Sequence, residues 1–172
     1  LKKMADDQGG GTWVEDLMRQ FRDGLVRGLY DGLYQLEGEP LRTVMDAQAR
    51  VCVHAFIALA DLSADLSFDD FLERMRIAGP SRVRVERTGD DELLWTELHA
   101  GECVCPHVRQ GAISLDPKLC LCGETWVRLL VERHAHRRAA VELVESVATG
   151  AQNCVYRITL GEPVPPPAAG LG

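Results

Sequence analysis

Three observations predict an α+β fold, with one antiparallel sheet of two hairpins covered by N-terminal helices and one later helix. Apolar residues recur at steps near four over residues 13–75, the period of a helix face. From Arg82 the period drops to two, and two pairs of short alternating runs flank turn residues. The resulting order, helices, hairpin, helix, hairpin, suits a sheet with its helices on one side.

The 172 residues divide into a polar, Gly-rich segment 1–11 expected to be disordered, a single cysteine-rich domain 12–160, and a Pro-rich tail 161–172. Leu1–Lys3 reads as a remnant ahead of a start at Met4. Thr12 is placed to N-cap a helix from Trp13, with Glu15 close to the capping-box position. The helix carries Trp13, Leu17, Phe21, Leu25, Leu29 and Leu33 as an apolar stripe, with Gly24, Gly28 and Gly32 as a second row. Each glycine costs roughly 1 kcal/mol inside a helix. Three in register therefore imply close backbone approach, either by a helix of the same chain or by a second copy in a homodimer.

Pro40 opens a second helix, about 40–61, with Leu41, Val44, Met45, Cys52, Phe56 and Leu59 inward and His54 solvated. Cys52 reads as a small core residue or as an additional thiol. Ser67 caps a short helix, Phe68–Met75, closed by Gly79-Pro80. Arg82–Arg87 alternates, Thr88–Asp91 supplies a turn and Leu93–His99 returns, leaving Arg82, Arg84 and Arg87 on a solvated face. A helix over 121–136 has Trp126, Leu129 and Leu130 as its seam, and His134–Arg138 reads as a basic last turn. Strands at Val141–Val147 and Cys154–Leu160 close the domain around Gly150–Asn153.

Composition excludes several functions. With 19 Lys+Arg against 26 Asp+Glu the charge is −7, which argues against direct nucleic-acid binding. No window approaches the roughly 18 uninterrupted apolar residues of a membrane span. No secretory signal is present, so the expected location is the cytoplasm, where structural disulfides rarely persist.

Six cysteines are the compositional anomaly. Cys103 and Cys105 are expected at one strand end, where alternation sends both side chains to one face. Cys120 and Cys122 stand at a helix entrance, where the dipole favours thiolate. With Cys154 they form a candidate metal set: four thiolates close a tetrahedral zinc site or hold an iron–sulfur cluster. Buried or reactive thiols are the alternative.

The runs Cys105-Pro106, Asp116-Pro117-Lys118-Leu119-Cys120 and Val144–Ile158, the last containing Ala148-Thr149-Gly150-Ala151-Gln152-Asn153-Cys154-Val155-Tyr156, resemble three families. These are the C-terminal sensory region of SufR-type iron–sulfur repressors, methanogen output domains, and vinyl-reductase-type small-molecule sensor domains. The resemblance covers residues of about 100–160. The SufR-type likeness implies a cluster held by Cys105, Cys120 and Cys154, and so favours iron–sulfur over zinc. The vinyl-reductase likeness implies a zinc-binding Cys-x7-Cys pair whose first position is Ser146 here. No winged-helix reader stands ahead of the region, so the implied output goes through a partner or a dimer surface.

Two other classes compete. A hydrolase or lyase would use Cys105 or Cys122 activated by His107, His134 or His136, with Glu124 as acid or base, or use a bound metal. A small-molecule-binding module with structural zinc would line a pocket with Trp13, Tyr30, Tyr34 and Phe56.

Overall fold

A computed structural model describes residues 10–77 and 82–164. Four strands, β1 (Arg82–Arg87), β2 (Glu92–Leu98), β3 (Arg137–Glu145) and β4 (Cys154–Pro163), form one sheet in the order β1-β2-β4-β3, every neighbour antiparallel. Helices α1 (Gly10–Leu33), α2 (Gly38–Leu59) and α3 (Phe68–Ile77) precede it, and α4 (Pro106–Arg109) and α5 (Cys120–Ala135) lie between β2 and β3. The fold is α+β, as the change of period predicts.

Strand register builds the core. Leu93 stands opposite Ile158 and Trp95 opposite Tyr156, so β2 and β4 share one apolar face. Val127, Leu130 and Val131 of α5 cover that face, with Val53 of α2 and Phe71 and Met75 of α3 closing the cluster. Ser67 accepts a hydrogen bond from the Asp70 amide at 3.1 Å and donates to its carboxylate at 2.6 Å, a cap that starts α3 as expected. The solvated arginines of β1 pair locally, Arg87 with Asp69 at 2.7 Å and Arg84 with Glu86 at 3.1 Å.

Several element boundaries differ from expectation. α1 already runs from Gly10, so Thr12 lies inside the helix and is not its cap. The stop at Gly79-Pro80, the tail from 165 and residues 1–9 lie outside the described residues. On α2 the inward positions are Leu41, Met45, Ala49 and Val53, while Cys52, Val44 and Leu59 are exposed. His136 adopts the left-handed conformation (φ 50°) and ends α5, so Arg137 and Arg138 enter β3 and do not form a basic helical turn. His134 is buried, stacked on Phe71 with ring centroids 4.2 Å apart.

The largest departure is α1. Only its end joins the body: Val26, Tyr30, Leu33 and Tyr34 pack on a second cluster of Leu41, Met45, Ile113 and Leu119. Arg27 adds hydrogen bonds to the carbonyls of Gly111 and Ala112, both 3.3 Å. The stripe expected to be core faces solvent, with Trp13 63%, Phe21 68% and Leu29 64% exposed. Nothing among the described residues lies within 4 Å of a Cβ placed at Gly24, Gly28 or Gly32, so the glycine row meets no other described helix.

Candidate functional site

Alternation along β2 carries Leu93, Trp95 and Glu97 to the covered face, and His99 follows one step past the strand end. Glu97 stands directly opposite Cys154, the first residue of β4. At this end, therefore, the covered face of the two central strands changes from apolar to ionisable. The first turn of α5, with Cys120 and Cys122, belongs to the same end. Gly123 permits the approach, because a Cβ there would stand 2.5 Å from the Tyr156 hydroxyl.

Past His99 the chain reverses through Ala100 (φ 54°) and Gly101 (φ 86°). The Gly101 amide donates to the Gln152 carbonyl at 2.8 Å, and the His99 amide donates to Asn153 Oδ1 at 3.0 Å. These bonds pin the turn to the entry of β4. Cys103 and Cys105 lie in the loop beyond, so the expected strand-end placement is incorrect: β2 has already ended at Leu98 and the reversal intervenes. Cys105 is the N-cap position of α4 and, like Cys122, Tyr30 and Tyr34, packs against the cluster of Leu41, Met45, Ile113 and Leu119.

All six cysteines are free thiols. Burial pushes Cys103 up to about 11, opposed by a hydrogen bond to the Cys105 backbone and supported by the Cys105, Cys120 and Cys154 thiols. Cys122 rises to about 12, through burial first and then Cys52, Cys105, Cys120 and Cys103. Desolvation here outweighs the helix dipole that would favour thiolate. Cys120 is also raised by burial, opposed by the Ser146 hydroxyl 3.0 Å from its sulfur. Because Ser146 Oγ accepts from the Ala148 amide, its own proton is free to point at Cys120. Tyr30, Tyr34 and Tyr156 are raised by burial, with cysteines among the further causes in each case.

The Glu97 carboxylate accepts from His99 Nε2 at 2.9 Å, with side-chain exposures of 9% and 2%. Burial alone lowers the His99 pKa, but Cys154 and Glu97 beside the ring reverse this and raise it to about 9. His99 Nδ1 has no hydrogen-bond partner.

The structure thus gathers Cys103, Cys105, Cys120, Cys122 and Cys154 at one end of the sheet, with Cys52 near Cys105 and Cys122. It does not bring the expected histidines to them as general bases. His134 is in the core and held down to about 4 by burial, Arg133 and His136, while His107 and His136 are exposed. Glu124 braces α5, accepting from the Leu143 amide at 3.0 Å and facing Arg42 at 3.7 Å. The expected aromatic pocket does not form: Trp13 is exposed, Phe56 packs on Trp126 at 5.1 Å, and Tyr30 and Tyr34 pair at 5.7 Å in the second cluster. Sequence reasoning missed Glu97, His99 and Tyr156. The alternation that buries Leu93 and Trp95 also buries Glu97 and His99, against the wet-side placement their chemistry suggests.

Among the described residues, no three His, Cys, Asp or Glu side chains converge as ligands of a single metal ion. The thiols suit a soft or borderline metal by their donor chemistry. No helix among the described residues is long and apolar enough to cross a membrane.

Fold and site together define an α+β protein with a half-buried thiol cluster at one end of its sheet. No family model matches the chain, and no curated protein matches it. Among solved structures it is similar to trafficking protein particle complex subunit 3 from Naegleria fowleri, covalently bound to palmitic acid. That likeness has 14% identity and a TM-score of 0.49, covering 85% of this chain and 99% of the other. An H-NOX protein from S. oneidensis in the Fe(II)NO ligation state is similar at 14% identity and a TM-score of 0.46, covering 72% and 67%. At these scores neither likeness bears on function.

Proposed function

We propose that this protein is a cytoplasmic sensor or regulatory protein that binds a metal group through cysteine, an iron–sulfur cluster before zinc. The observation that supports this is the gathering of five cysteines from the β2–α4 loop, α5 and β4, each of Cys103, Cys120 and Cys122 raised in part by its neighbours. Thiols crowded in this way favour a cation that takes their protons' place. Cys105, Cys120 and Cys154 are the principal ligands, with Cys122 and Cys103 beside them. The preference for iron rests on the SufR-type resemblance. A cluster at this position supplies one-electron redox chemistry. The chain's part is to hold the sulfurs half-buried, to direct the Ser146 hydroxyl at Cys120 and to shield the site with Tyr30 and Tyr34.

The test is elemental analysis with a visible spectrum on protein purified without oxygen. Iron and sulfide with absorbance near about 400 nm, lost in Cys154→Ser and kept in Cys52→Ser, is the expected result. Equal metal content in both variants would remove the assignment.

A second reading uses the thiol itself. Cys154 lies beside His99, which Glu97 orients, an arrangement of nucleophile, base and orienting acid. Metal-free protein that is alkylated at Cys154 ahead of its other thiols would favour this reading.

For a partner we propose a second copy on α1. Trp13, Leu17, Met18, Phe21, Leu25 and Leu29 are each more than half exposed. Together they present apolar surface on the order of the ~800 Å² that each side of a stable interface contributes. The large residues form an i±4 ridge beside the open glycine row. One copy's ridge fits the other's groove, a self-complementary arrangement of the kind a two-fold dimer requires.

A further inference from the structure

We propose that β1 is a docking edge for an extended peptide of another protein, one that alternates acidic with apolar residues and adds to the sheet as a further strand. The proposal is independent of the thiol site and of the contact on α1, because no residue of β1 or α3 belongs to either.

Hydrogen-bond phase decides which backbone groups β1 presents. The Thr88 amide donates to the Glu92 carbonyl at 3.0 Å, and the register from there pairs Arg87 with Leu93. Bonded and non-bonded pairs alternate along an antiparallel ladder. Arg82, Arg84 and Glu86 therefore bond to β2, while the amides and carbonyls of Val83, Val85 and Arg87 point away from the sheet. The Leu160 amide, donating to the Asp91 carbonyl at 2.8 Å, fixes the same phase from β4. The other edge is capped: on β3 the amides of Ala139 and Leu143 donate to Glu132 at 3.1 Å and Glu124 at 3.0 Å, both on α5. No group among the described residues takes up the outward amides of Val83, Val85 and Arg87. An edge left open in this way is a template for a strand from another chain.

Side chains set the partner's chemistry. A groove of about 540 Å³ opens between the end of α3 and the start of β1, with Ile77, Val83 and Leu98 as its apolar lining and Arg76, Arg82 and Arg84 as its cationic lining. Ile77 is 78% exposed there. Arg82 has no ion pair among the described residues. The pairs of Arg76 with Glu73 and of Arg84 with Glu86 are exposed, so a partner's carboxylate can replace either at little cost. In an added strand alternate side chains fall on alternate faces. Acidic ones then stand on the side of Arg82 and Arg84, and apolar ones lie against Val83 and Ile77. A second copy of β1 fits less well: Arg82–Arg87 holds three arginines and one glutamate, so self-pairing sets a positive strand against a positive strand.

The experiment titrates the full chain into a fluorescein-labelled Glu-Val-Glu-Val-Glu-Val peptide, read by anisotropy, and follows amide exchange by nuclear magnetic resonance. Residues paired with Val83 and Val85 are the peptide's valines, so valine amides face β1 and glutamate amides face solvent. N-methylation of the valines should therefore abolish binding, and N-methylation of the glutamates should leave it intact. The Lys-Val counterpart should bind about tenfold or more weakly, as should the parent peptide to Arg82→Glu with Arg84→Glu. Arg138→Glu, on the opposite edge, should bind as the parent protein does. Binding should slow exchange at Val83, Val85 and Arg87 and leave Arg84 and Glu86 unchanged. No binding by the parent protein up to about 1 mM overturns the proposal. So does binding that survives valine methylation, which would be a contact of charge alone. Slow exchange of the Val83, Val85 and Arg87 amides in the free monomer would mean that the chain already covers the edge. Slow exchange arising only with self-association would assign the edge to a second copy. Either result overturns the proposal, and each is read in the parent protein, so a variant that fails to fold removes none of them.

Discussion

Glu97 on the covered side of β2 and His99 just past its end meet at 2.9 Å, where every earlier inward residue of the strand is apolar. Truncating one member of a buried pair leaves the other uncompensated, at about 3–5 kcal/mol. Glu97→Ala should therefore lower unfolding stability by about 3 kcal/mol at pH 7 in urea. The exposed Glu92→Ala on the same strand should change it by no more than about 0.5 kcal/mol. Equal effects would show that the pair carries no structural weight.

Gly123 is needed for close approach. Alanine normally gains about 1 kcal/mol over glycine inside a helix, but here its Cβ would stand 2.5 Å from the Tyr156 hydroxyl. Gly123→Ala should be destabilising by about 1–3 kcal/mol, and much less so in a Tyr156→Phe background. A double-mutant cycle reads this as coupling of about 1 kcal/mol or more; additivity would place the clash elsewhere.

His134 titrates far from the thiols. Its folded pKa, about 4, lies below the ordinary 6.5, because burial and then the charges of Arg133 and His136 oppose the proton. The unfolded chain binds that proton first, so the contribution is complete above pH 6.5 and is lost as pH falls toward 4. The loss should reach about 3 kcal/mol. His134→Phe, which keeps the stack on Phe71, should flatten stability against pH across that window. A parallel curve would assign the slope to carboxylates.

If a second copy covers α1, Phe21→Asp with Leu25→Asp should convert dimer to monomer in sedimentation equilibrium, leaving the helical circular dichroism of the body intact. Gly28→Leu should also weaken the dimer tenfold or more, since its own chain offers the new side chain open space. A parent protein that is monomeric at high micromolar concentration would exclude this partner.

The sequence shows the elements more readily than their faces. The period change at Arg82, the Ser67 cap and the first hairpin are local and are found where local chemistry places them, whereas the strand expected over Val141–Val147 runs Arg137–Glu145 and Val147 opens a 3-10 turn. The stripe of α1 is equally regular, yet a periodic apolar face specifies burial without saying in which chain. Cys52 shows the same ambiguity on a smaller scale. One residue of helical phase, 100°, separates it from buried Val53, and the stripe alone did not resolve that phase. The thiol set was legible because cysteine is rare and clustered. Glu97 and His99 were not, because carboxylate and imidazole on a strand ordinarily mark its wet side.

Cys154 and Glu97 sit in the two middle strands of the sheet, hydrogen-bonded to neighbours on either side. Cys103 and Cys105 sit in a connection between β2 and α5, tied down at its start through Gly101 and His99. The sulfurs therefore stand between a wall of paired strands and a connecting loop. Whatever closes on those sulfurs pulls the connection toward the sheet, and whatever leaves them lets it relax. In amide exchange the strand wall should stay protected through both states, and the span from Glu102 to Ser114, which carries the carbonyls that Arg27 and Tyr34 hold, should change. Motion at the thiols would thus reach α1 by way of that span while the sheet stays still.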